Sequence, residues 1–152
     1  MDKADLDAIG GFNTVWSRVS GSAEPLTALA DSAERQRELL CALARCCPSA
    51  SAKLTAMARA EAALICSLRA EQFLATGEDY RPAPACAVVQ GRLRSLRSAY
   101  INSGKLAAGL TAAANAASDE LRAALDRLAA DERCRERALR ELILRELGAN
   151  CT

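Results

Sequence analysis

The stretch Leu121–Leu142, LRAALDRLAADERCRERALREL, decides the fold. Its apolar residues recur at helical spacing, Leu121, Leu125, Leu128, then Leu139 and Leu142, as on a helix facing partners in a bundle. Between the two groups the same track passes through Glu132 and Arg135. A buried stripe that turns ionic for one turn is either a solvated edge reached by long side chains or a polar centre shared with neighbouring helices. The remaining sequence favours the second reading. In Leu54–Leu68 the inward track is Leu54, Met57, Glu61, Leu64, Leu68, again with a glutamate at mid-length. A first track, Leu26, Leu29, Ala33, Gln36, Leu40, Leu43, breaks at Ala33 and Gln36. A third, Leu93, Leu96, Tyr100, Ser103, Ala107, Leu110, breaks at Ser103.

Helix boundaries follow from punctuation. Glu24-Pro25 offers a start and Pro48 a stop for the first helix. Ser49 or Ser51 can cap a second, which ends at Gly77. The prolines of GEDYRPAPAC, residues 77–86, exclude a helix there. A third helix is expected over Val88–Ala114, and a fourth, capped by Ser118 and with Asp119 and Glu120 in its first turn, ends at Gly148. Short connections make helices one and two, and three and four, antiparallel hairpins. Between the hairpins lie about a dozen residues, which reach roughly 40 Å when extended, against roughly 37 Å for a 25-residue helix. That connection can cross the whole bundle. The expected fold is all-α: a ferritin-like four-helix bundle of two hairpins joined by a long crossover, residues 23–152, behind an N-terminal leader, residues 1–22.

Composition bounds the function. The 152 residues are 51% hydrophobic but only 3% aromatic, and alanine supplies much of the apolar count, which suits closely packed helices. A formal charge of +1 with interspersed signs gives no footprint for nucleic acid. No segment is long and apolar enough for a membrane span, and the aspartates of MDKADLDAIGG do not read as a secretory signal, so a cytoplasmic protein is expected. The chain has seven cysteines and no histidine. Without histidine there is no Ser-His or Cys-His dyad, and no phosphate loop or nucleophile elbow occurs. The cysteines show no CxxC spacing and read as reduced small apolar residues. The adjacent Cys46 and Cys47 are the pair worth testing for thiol or soft-metal chemistry.

Di-iron carboxylate bundles place one Glu on each of two helices and a Glu-x-x-His on each of the other two. EAAL, Glu61–Leu64, and ERCR, Glu132–Arg135, stand where the two Glu-x-x-His motifs would be. The chain at this point resembles the rubrerythrin branch of the ferritin-like family, in particular its short bacterial members. The likeness covers Pro25–Leu147 and rests on LTAMARAEAALICSLRAEQFLATGEDYRP (Leu54–Pro82) and on Leu121–Leu142. The resemblance implies iron as the cofactor. It makes Glu61 and Glu132 the two survivors of six ligands, and it puts Ala33 (or Glu34, if the register slips by one), Leu64, Ser103 and Arg135 at the lost positions. No cofactor is expected of such a degenerate metal site. Arg135 is expected to stand between the two glutamates as counter-charge, bidentate to one and hydrogen-bonded to the other.

Three functions compete on this reading. The first is a non-catalytic structural or protein-interaction module, as a homodimer through an alanine-rich face or with an unknown protein partner. The second is a binding protein whose central cavity or thiols hold a ligand or a metal ion other than a di-iron pair. The third is residual metal-dependent or thiol-dependent oxidoreductase activity, with Glu61, Glu132 and Glu34 as the metal ligands. Phe12 and Trp16 read as a lid packed on a bundle end or as an interaction site, Tyr100 as core, and Arg92, Arg94 and Arg97 as a solvated face or a small anion-binding strip.

Overall fold

A computed structural model of the chain describes residues 25–149 and 151. The expected leader, with Phe12 and Trp16, lies outside them. The described residues form four α-helices and one short 3-10 turn, with no strand: α1 Leu26–Cys46, the turn Pro48–Ala50, α2 Ser51–Thr76, α3 Arg92–Asn115 and α4 Asp119–Ala149.

The ends show how the sequence sets these lengths. Pro48 cannot donate to a continuing α1, and the Cys47 N–H closes the helix on the Leu43 carbonyl at 2.9 Å. The expected serine cap of α2 is not used. Ala50 occupies the N-cap, no side chain bonds there, and Ser51 is already helical, because the 3-10 turn delivers the chain in near-helical conformation. Gly77 ends α2 at φ 75°, where its N–H bonds the Phe73 carbonyl at 2.7 Å. The third helix starts at Arg92, not at Val88. Gly91 sits at φ 112° before it, a left-handed conformation that interrupts any helix running in from Val88. At the turn between α3 and α4, Arg122 donates to the Ala114 and Ala117 carbonyls at 3.2 and 3.3 Å, a side-chain substitute for the missing helical donors.

Two apolar clusters fill the bundle, one toward each end. The start of α1 (Leu26, Leu29), the later part of α2 (Leu64, Leu68), the end of α3 (Leu106, Leu110) and the start of α4 (Leu125, Leu128) share one cluster. The other joins Leu40 and Leu43, Leu54 and Met57, Leu96 and Ala99, and Leu139 and Leu142. The start of α1 therefore lies beside the end of α3, and the two helices are antiparallel. The connection between the hairpins travels the length of the bundle, since Tyr80 packs on the first cluster and Val89 on the second. It is anchored where it leaves α2. The Tyr80 hydroxyl donates to Asp31 Oδ1 at 2.7 Å, and Arg69 donates to the Tyr80 carbonyl and to Asp79 Oδ1 at 2.8 and 2.7 Å. Across the hairpins, α1 and α3 approach closely while α2 and α4 stand further apart. The buried alanines Ala30, Ala33, Ala99 and Ala107 permit the close side.

Candidate functional site

Between the two apolar clusters, each helix contributes one polar residue to a single layer. Gln36, Glu61, Ser103 and Glu132 are at most 1% exposed, and Arg135, one turn beyond Glu132, reaches in with a side chain 13% exposed. A carboxylate in such a place is costly unless paired and hydrogen-bonded. Glu132 is well supplied. Its Oε1 accepts the Ser103 hydroxyl, and its Oε2 accepts Arg135 Nη2 at 2.5 Å and Nε at 3.1 Å. Arg135 Nε also donates to Glu61 Oε1 at 3.0 Å. Arg135 thus bridges α4 to α2 across the wider side of the bundle. The expected fork, one nitrogen to each oxygen of a carboxylate, is replaced by two donors converging on one Glu132 oxygen, because Ser103 holds the other.

The first hairpin is served less completely. Gln36 Nε2 donates to the Ala99 carbonyl at 2.8 Å, tying α1 to α3, but Gln36 Oε1 and Glu61 Oε2 are buried with no hydrogen-bond partner. Burial pushes the Glu61 carboxyl up to about 9, helped by the nearby Glu132 and opposed by Arg135. Its surroundings therefore favour the protonated, neutral form. Burial works against the Arg135 charge, but Glu132 and Glu61 outweigh it and raise its pKa.

Each expected site residue has a definite place. Ala33 and Leu64 are buried in the apolar cluster at the α1 start, on the inward track and without polar function. Glu34 is not part of the layer's hydrogen bonds: it forms a two-pronged pair with Arg37 at 2.7 and 2.9 Å. Ser103 is a donor to Glu132. Gln36, visible in the sequence only as a break in the first track, is the cross-link to α3, and its position opposite Glu61 in a short-looped hairpin was the signal. Cys46 and Cys47 diverge, Cys46 exposed and Cys47 buried. Burial pushes the Cys47 thiol up against the lowering effect of Arg92, so it offers less thiolate than an ordinary cysteine. Arg92 pairs with Glu146 at 3.5 Å, Arg94 and Arg97 are exposed, and Tyr100 is half-buried against the second cluster.

This donor set does not fit a pair of irons. Carboxyl ligands come from α2 and α4 alone, the chain supplies no imidazole, and a guanidinium lies between the two carboxyls. Among the described residues, no group of three or more His, Cys, Asp or Glu could hold a metal ion. No family model, curated protein or solved structure matches the chain. No helix among the described residues is long and apolar enough to cross a membrane.

Proposed function

We propose that the chain is a non-catalytic bundle of the ferritin-like, rubrerythrin-type kind, kept as a structural or protein-interaction module after its di-iron ligands were lost. The observation that carries the reading is the bridge from Arg135 to both Glu61 and Glu132. A fixed cation stands where two carboxyls from facing helices would otherwise need metal. It does so without an exchangeable coordination position, and a guanidinium is neither a Lewis acid nor a redox centre. The connection that spans the bundle and the mid-length placement of both glutamates support the kinship.

Metal analysis of protein expressed in iron-supplemented medium, followed by ferrous titration under optical absorption, tests the proposal. The expected outcome is iron well below one atom per chain and no oxo-bridge band. Two irons per chain with that band would make Glu61 and Glu132 working ligands and overturn it.

A further inference from the structure

The two unpartnered atoms of the central layer sit on facing positions of one hairpin. Along α1 and α2, Leu29 and Ala33 share one apolar cluster with Leu64 and Leu68, and Leu40 and Leu43 share the other with Leu54 and Met57. The antiparallel hairpin therefore brings Gln36 and Glu61 to the same level between the clusters. Their free atoms, Gln36 Oε1 and Glu61 Oε2, are both oxygens. Two acceptors cannot satisfy each other, but an acid and an acceptor can. The amide cannot turn to help, because flipping it would place its oxygen against the Ala99 carbonyl that Nε2 now serves at 2.8 Å. Every other polar atom of the layer is engaged: Glu61 Oε1 by Arg135, and both Glu132 oxygens by Ser103 and Arg135.

The geometry points to a proton-binding site at the bundle centre, in which Glu61 carries a proton on Oε2 and donates it to Gln36 Oε1. One proton so placed satisfies both atoms. It also closes a chain of hydrogen bonds from the Ala99 carbonyl through Gln36, Glu61, Arg135 and Glu132 to Ser103, linking all four helices. The charged groups facing Glu61 are Glu132 and Arg135, both from α4, while α1 and α3 present the uncharged Gln36 and Ser103. Burial and the Glu132 charge hold the proton, and Arg135 pulls against them. Its loss at alkaline pH opens the link between α1 and α2 and leaves two buried carboxylates sharing one guanidinium, so the layer responds to pH at its first hairpin. The inference rests on the metal-free reading of the centre.

Infrared spectroscopy of the full chain, with iron measured on the same sample, tests it. At neutral pH the iron-free protein should show the C=O stretch of one protonated carboxyl. That band should vanish on raising the pH past about 9, be missing in Glu61→Gln, and move to higher frequency in Gln36→Met, where the acceptor is gone. Glu61→Gln preserves the packing, since its amide can accept from Arg135 and donate to Gln36. The wild-type chain alone carries the first two arms. An iron-free sample without the band at pH 7, or a band that survives Glu61→Gln, would overturn the assignment and leave the non-catalytic reading standing. A band unmoved by Gln36→Met would overturn it too, since Gln36 would not be the acceptor. A sample that holds two irons per chain would overturn the metal-free reading, and the inference with it.

Discussion

The two hairpins bring a similar polar pair to the bundle centre, and only one satisfies it alone. In the α3/α4 hairpin, Glu132 finds Ser103 across the hairpin and Arg135 one turn along its own helix, so its donors come from within. In the α1/α2 hairpin, Gln36 turns its donor toward Ala99 of α3 and Glu61 takes Arg135 from α4. The second hairpin holds its charge and counter-charge within itself, and the first takes its hydrogen bonds from Ala99 and Arg135 of the second. The difference locates the energetic weight of the layer on α4. It also gives the bundle a reason to dock in one register, since a slip along the apolar clusters would strand Gln36 and Glu61 without partners.

If that asymmetry holds, Arg135→Leu does the most damage. It strips Glu132 of its counter-charge and Glu61 of its hydrogen-bond donor at once and should cost about 3–5 kcal/mol in urea unfolding. A loss below about 1 kcal/mol, the scale of an exposed ion pair, would dissolve the distinction. Ser103→Ala removes one donor to a buried carboxylate while leaving Arg135 in place, and should cost about 2 kcal/mol. Away from the layer, Tyr80→Phe breaks the anchor of the connection to Asp31 and should cost about 1 kcal/mol by thermal melting.

The smallest effect belongs to the first hairpin, where Glu61→Gln mimics the neutral acid and should be close to silent below pH 4.5. Its signature is in the pH dependence. The Glu61 carboxyl is raised from 4.5 to about 9, so the folded chain binds this proton more tightly than the unfolded one. The resulting stabilisation is complete below pH 4.5 and is lost as the pH climbs toward about 9, with a slope approaching about 1.4 kcal/mol per pH unit. Glu61→Gln should flatten that decline relative to wild type. Parallel curves for the two proteins would place the sensitivity elsewhere.

Much of this arrangement is written in the sequence at helical spacing. The first, second and fourth tracks run through residues that are buried or nearly so, including Gln36, Glu61 and Glu132, because apolar residues flank each polar break at helical spacing. The third track is less legible. Leu93 and Tyr100 are only partly buried, whereas Ser95 and Ala99 are inside. With serine and alanine on several faces, the hydrophobic contrast is too weak to fix the register, and close packing of α1 on α3 decides it. The start of α3 depends on the left-handed backbone of Gly91, which composition does not announce. Ser103 stands out in the sequence as a break, but its role as a donor to Glu132 depends on tertiary approach.

The central claim is that Arg135 is the counter-charge of the layer, and a double-mutant cycle on Arg135→Met and Glu132→Met reads it most directly. Each single change strands a charge, whereas the double change removes both, so the double variant should be more stable than the sum of the singles by roughly 2–3 kcal/mol. Additivity within about 0.5 kcal/mol would mean that the two residues do not hold each other, and would contradict the account.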